Sequence, residues 1–142
     1  MSLIDVDFYL LEKDEPAAIW QASCFLIAQF YLEKQSIFVR CANQDDAIFF
    51  DEYLWGFKPE SFIPHALTSD TPAIPAPIVI GCEPTEKYPI LINLAPSLPA
   101  IFSELKRIIE IVPAQEAAKA ISREHYKYYR AQGFNLLTHK MP

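Results

Sequence analysis

The sequence predicts a single α/β domain over residues 1–142, with a mostly parallel sheet covered by helices on both faces. Three observations carry this. Short aliphatic runs alternate along the chain with longer stretches of helical character. Residues that start or stop helices stand at the ends of the long stretches. Hydrophobic residues make up 51% and aromatics 13% of 142 residues, enough to close one core.

Residues 4–11 alternate and then turn fully apolar, which suits a first strand. Asp14 and Glu15 precede Pro16, a favourable helix start, and residues 17–34 form a long apolar helix carrying Ile19, Trp20, Phe25, Leu26, Phe30 and Tyr31. Trp20 is expected in the core. Residues 36–41, SIFVRC, make a β-branched second strand. Asn43 can cap a helix over 44–54, with Asp45 and Asp46 placed where the helix dipole favours negative charge. Gly56, Pro59 and Pro64 interrupt residues 55–65, WGFKPESFIPH, yet Trp55, Phe57, Phe62 and Ile63 are large and apolar. Such a loop either plugs the core or forms a contact patch. Residues 66–77 read as an extended surface loop. Residues 78–80 and 90–94 read as buried strands joined by the polar turn 83–88, a spacing that allows an antiparallel pair. A brief helix is expected over 99–105 and a strand, RIIEIV, over 107–112.

The C-terminal stretch 113–135, PAQEAAKAISREHYKYYRAQGFN, reads as one helix of about five turns. Pro113 suits the first helical position, Glu116 the first turn, and Gly133 the left-handed position just past the end. At about 100° per residue, Lys119, Arg123, Lys127 and Arg130 share an arc of roughly 80°, with Tyr126 beside them. Ala117, Ile121 and Tyr128 fall opposite and are the expected core contacts. From residue 119 onward there are five basic residues and only Glu124 is acidic, a net +4. The formal total is −6, so residues 1–118 hold −10. A local cationic face on an acidic body can select an anionic partner. The same charges also suit a solvated helix end.

Several chemistries are missing from the pattern. The three glycines, Gly56, Gly81 and Gly133, are far apart, and a phosphate-cradling loop needs them clustered. No nucleophile elbow is present, and Cys24, Cys41 and Cys82 form no zinc spacing. An odd, scattered cysteine set reads as reduced thiols in a cytoplasmic protein. His65, His125 and His139 are too scattered in sequence to suggest a metal site. The carboxylate pairs Asp45–Asp46 and Asp51–Glu52 read as a solvated face. The opening MSLIDVDFYLL has no signal-peptide pattern, and the apolar run over 17–32 is interrupted by Gln21, Ser23 and Gln29, so no membrane span is expected. No cofactor is expected, and the residues favour an interaction protein over an enzyme.

Two stretches together carry a resemblance. FFDEYLWGFKPESFIPH (49–65) and SREHYKYYRAQGFNL (122–136) resemble the signature segments of the chi subunit of bacterial DNA polymerase III holoenzyme, and DFYLL (7–11) is similar to that family's first strand. The order and spacing agree along nearly the whole chain; residues 66–88 depart from the pattern. The resemblance implies a nucleotide-binding-like topology that binds no nucleotide, and a non-catalytic clamp-loader accessory. It implies two partners, the psi subunit and the acidic, aromatic C-terminal tail of single-stranded DNA-binding protein. It thereby implies a part in displacing primase. The tail positions match Lys119, Arg123, Tyr126, Lys127 and Arg130; the psi positions match Trp55 and Phe62. A repair helicase is implied as a competitor for the psi surface.

The residues suit such a tail. Arginine holds a carboxylate bidentately, and Tyr126 with the lysine and arginine stems offers a wall for a ring. The same stripe could hold single-stranded DNA, with a tyrosine for stacking. A body at −10 repels a polyanion that must extend past the stripe, so no tight direct nucleic-acid binding is expected. A diverged α/β enzyme acting on a small acidic substrate is the remaining alternative.

Overall fold

Among the described residues seven strands lie parallel in the order β3-β4-β2-β5-β6-β1-β7. The computed structural model describes residues 4–57, 63–68, 76–83, 88–101 and 104–141. Along the chain these form β1 (Asp5–Leu11), α1 (Ala18–Leu32), β2 (Ile37–Arg40), α2 (Gln44–Phe57), β3 (His65–Leu67), β4 (Ile78–Gly81), β5 (Ile90–Asn93), β6 (Arg107–Val112), α3 (Glu116–Ala131) and β7 (Asn135–Met141). Strands buried on both faces lose the alternation of a half-buried strand. That is why ILIN of β5 and IIEIV of β6 are apolar almost throughout.

α1 and α2 cover one face, burying Ala22, Cys24, Ile27, Phe50 and Leu54 against Ile37, Val39, Ile80, Ile92 and Ile109. α3 covers the other, where Tyr129 meets Val6, Phe8, Ile108 and Val112. β1 sits between β6 and β7. The connection from β1 through α1 leaves toward one sheet edge, and that from β6 through α3 leaves toward the other. Crossovers of one hand moving in opposite directions must use opposite faces. The loops after β1 and β6 therefore diverge and open a crevice at the C-terminal ends of these strands, the usual place for a ligand in an open α/β sheet.

The helix signals work locally. Asn43 Oδ1 accepts from the Asp46 N–H at 2.8 Å, capping α2. Gly133 has φ +79°, and the Phe134 N–H donates to Tyr129 O while the Gly133 N–H donates to Arg130 O. This is a Schellman end, which requires a left-handed residue at that point. Burial pushes the Cys24 and Cys41 thiols up to about 12, so both stay protonated at neutral pH. Among the described residues no helix is long and apolar enough to cross a membrane.

Several expectations need correction. β4 and β5 are not an antiparallel pair: β2 lies between them and runs parallel to both. α2 continues through Trp55 and Gly56 to Phe57, because packing against α1 and β3 outweighs the small helix penalty of one glycine. The described part of 99–105 is not helical. Residues 65–67 form an edge strand, and β7 was not foreseen. α3 starts at Glu116 with Gln115 as its cap, so Pro113 lies in the preceding turn. Trp20 is only partly buried, packing with tilted rings on Phe49 and Phe50 at the margin of the core.

Candidate functional site

α3 is seated by polar groups. Glu110 of β6 points up from the sheet, 4% exposed, and its Oε2 accepts from the Tyr129 hydroxyl at 2.6 Å and from Asn93 Nδ2 at 3.0 Å. His125 Nδ1 lies 3.2 Å from the same oxygen, and its Nε2 lies 2.9 Å from the Pro96 carbonyl. Both ring nitrogens thus face acceptors, and only the imidazolium can donate to both. The hydrogen bond to Glu110 accordingly raises the His125 pKa, against the opposing effect of burial. Burial and the Glu110 charge raise the Tyr129 pKa, which keeps its hydroxyl a donor. Arg40 extends the network, donating to Asn93 Oδ1 and to the carbonyl and hydroxyl of Ser97 at 2.7–2.8 Å.

This seat sets the rotation of the helix. The buried residues of α3 are His125 and Tyr129; Ala117 is exposed, Ile121 is 41% exposed and Tyr128 38%. The expected core face was therefore misplaced by roughly a quarter turn. The cause is Glu110, which draws in a histidine and a tyrosine in preference to Ile121. The rotation turns the Lys119 and Tyr126 edge of the basic stripe toward the sheet and leaves Lys127 pointing outward.

A groove of about 450 Å³ runs between α3 and the C-terminal rim of β1, β6 and β7. Phe8, Leu10 and Val112 form its apolar floor, and Lys119, Arg123 and Tyr126 line its α3 side. Tyr126 is 38% exposed and rests on Phe8 with ring centroids 5.5 Å apart, so one face of its ring remains available. Lys140 and Thr138 of β7 line the opposite wall. Arg123 lies only 4.0 Å from the exposed Glu116, a loose pair that an incoming carboxylate can displace. Three expected tail-binding residues thus meet at one groove. Lys127 and Arg130 do not line it; Lys127 pairs with Glu124 at 3.5 Å on the outer surface. Lys140 is the residue missed. The available signal was the strand LLTHKM after a glycine-terminated helix, in register with Leu10 of β1.

Residues 3–137 match the profile of the family described as "DNA polymerase III chi subunit, HolC". The chain belongs to the DNA polymerase III chi subunit family. Proteins named DNA polymerase III subunit chi from three organisms are similar to it. That of Pseudomonas aeruginosa is 30% identical over 137 residues, covering 96% of each chain. That of Haemophilus influenzae is 32% identical over 134 residues, 92% of this chain and 93% of its own. That of Escherichia coli is 32% identical over 138 residues, 92% of this chain and 94% of its own.

In this chi-family chain the second expected surface lies at the C-terminal end of α2. Trp55 is 44% exposed, and its ring packs on His65 with centroids 3.9 Å apart. His65 is fixed by the carbonyls of Ile63 and Asp51, at 2.7 and 3.0 Å, so it serves as a rigid support for the indole. Phe62 lies outside the described residues. Ile48, Phe49 and Trp55 leave large apolar groups at the surface of α2, beside Asp45 and Glu52. The three histidines go to separate places. His139 pairs with the buried Asp7 at 3.0 Å and stacks on Tyr9, while Asp7 also pairs with Arg107. Among the described residues no group of three metal-ligating side chains converges.

Proposed function

We propose that this chain, a chi-type accessory subunit of DNA polymerase III, performs no catalysis and works in the cytoplasm as a bridge. Its α3 groove takes the acidic C-terminal tail of single-stranded DNA-binding protein. Its Trp55 surface, with Phe62, takes the psi subunit that ties it to the clamp loader, and a repair helicase competes there. The observation that carries the first half is the groove itself. An apolar floor of Phe8, Leu10 and Val112 lies under Lys119, Arg123 and Lys140, with Tyr126 as a side wall. That combination suits a carboxylate next to a ring, with charge-assisted bonds for one and apolar contact for the other. The body around it is acidic, which disfavours a polyanion running beyond the groove.

The test is fluorescence anisotropy with a labelled acidic peptide ending in phenylalanine with a free carboxylate, beside a labelled mixed-sequence oligonucleotide. Arg123→Ala is expected to weaken the peptide by roughly 1.5–3 kcal/mol, ten- to over a hundred-fold, without lowering the melting temperature. Preference of the wild-type protein for the oligonucleotide establishes direct single-strand binding instead. Turnover of a nucleotide or acidic metabolite by pure protein establishes the enzyme.

A further inference from the structure

A larger groove, of about 830 Å³, opens on the opposite face of the sheet, between β1, β7 and the α1–α2 pair. Its walls are aromatic: Tyr9, Phe25, Tyr53 and Phe57. It is not isolated from the α3 groove. Leu11, the last residue of β1, and Lys140, near the end of β7, line both. The two grooves meet over the C-terminal rim of the sheet. The cations continue across it, from Lys119 and Arg123 on α3, through Lys140 on the rim, to Lys13 in the β1–α1 loop. Two acids enter the linings, Glu12 on the α3 side of the rim and Glu52 at the α2 end.

We propose that the acidic peptide seated by its carboxyl end against α3 continues over the rim of β1 and β7 and lays its preceding segment in the larger groove. This rests on the tail-binding reading above and extends it. The line of cations fits acidic residues as far as Lys13, and the aromatic walls beyond fit an apolar side chain further from the carboxyl terminus. Glu52 disfavours acids at the α2 end, as Glu12 does at its own place on the rim, so the acids of the segment are those that meet Lys140 and Lys13. The site therefore reads a longer segment than the terminal residues, and it uses both faces of the sheet to do so. Phe25 is 46% exposed on the outer stripe of α1, beside the exposed Gln21, a large apolar side chain in accord with a wall that an occupant covers.

The experiment uses two labelled peptides ending in phenylalanine with a free carboxylate. One has about four residues, at most ~14 Å extended, and stays within the α3 groove; the other has about twelve, with acids and one upstream leucine, and spans ~40 Å. The longer peptide is expected to bind about tenfold tighter, the equivalent of ~1.4 kcal/mol. Lys13→Glu and, separately, Phe25→Ala should each remove most of that advantage and leave the short peptide unchanged. Lys13 is on the surface, so its variant keeps the test valid if Phe25→Ala proves unstable. Equal binding of the two peptides, or an advantage that survives Lys13→Glu, overturns this inference. If Arg123→Ala leaves the longer peptide as tight as before, the tail-binding reading fails first and this one falls with it.

Discussion

The two faces of the sheet are closed by different chemistry. α1 and α2 lie on aliphatic strand residues through alanines, a cysteine, Leu26, Ile27 and Phe50, and their inward faces contain almost nothing that must be aligned. α3 is aligned by one carboxylate. Glu110 gathers Tyr129, His125 and Asn93 on a single oxygen, and the helix can satisfy it in one rotation only. Apolar burial holds a helix down with little angular preference; hydrogen bonds in a dry site specify angle. The face with the polar seat is the face that carries the basic groove, where the placement of Arg123 and Tyr126 matters.

Neighbouring residues of β6 allow a direct contest between the two. Ile109 points to α1 and α2, Glu110 to α3. Glu110→Ala leaves a buried imidazole, hydroxyl and amide without their acceptor and should cost about 3–5 kcal/mol in urea denaturation. Ile109→Ala should cost about 2–5 kcal/mol through its cavity. The difference lies in function. Ile109→Ala, still folded, should bind the tail peptide normally, whereas Glu110→Ala should lose peptide affinity even under conditions where it remains folded. Normal peptide binding by folded Glu110→Ala would remove the alignment role.

The Trp55 surface provides the next contrast, since its aromatic residue is supported and exposed, not buried. Trp55→Ala should cost about 2 kcal/mol or more in psi binding, as truncated aromatic anchors do, with the melting temperature kept. Tail-peptide affinity should not change. Unfolding of the variant, or undiminished psi capture by calorimetry, assigns Trp55 to packing within the fold.

A smaller effect separates the faces by pH. His125 has a raised pKa in the folded protein, so the native state holds its proton at pH values where the unfolded chain has released it. Stability from this source is complete below the unfolded value of about 6.5 and declines as pH rises through the folded value. Wild type should therefore lose stability on going upward across that window, and His125→Gln should show a flatter profile there. Parallel profiles would mean that His125 is not charged in its seat.

The residues that were legible in the sequence share a property: their signal is local. Asn43, Gly133 and the aliphatic runs of β2, β5 and β6 act within a few residues of themselves. What was not legible depends on distant parts of the chain. β2 separates β4 from β5 although the two look like a hairpin by spacing. β7 is exposed at most positions and exists because β1 offers it a backbone edge. The rotation of α3 was misjudged because Ile121 is more hydrophobic than His125, and nothing nearby in sequence announces Glu110 as their arbiter. The candidate site was legible as a stripe and not as a groove. Lys119, Arg123 and Tyr126 were found, and Lys140, which arrives from β7, was not.

The smallest predicted effect tests stripe against groove. Arg130 shares the angular arc of Arg123 but stands seven residues on, about 10 Å along the helix axis. It does not line the groove and sits in the last turn, where its charge also favours the helix C-terminus. If the peptide is held in the groove, Arg130 acts on it only through space, across a distance greater than the Debye length of about 8 Å at physiological salt. Arg130→Gln should then weaken the peptide by less than about twofold, roughly 0.4 kcal/mol, and the loss should vanish in high salt. The Arg123→Ala loss should survive the same salt in large part, because a charge-assisted contact over an apolar floor is screened less than an exposed pair. A tenfold loss for Arg130→Gln would mean that the peptide runs down the outer stripe toward Gly133. That path leads away from Lys140 and Lys13, so the same measurement would count against the crossing to the second groove.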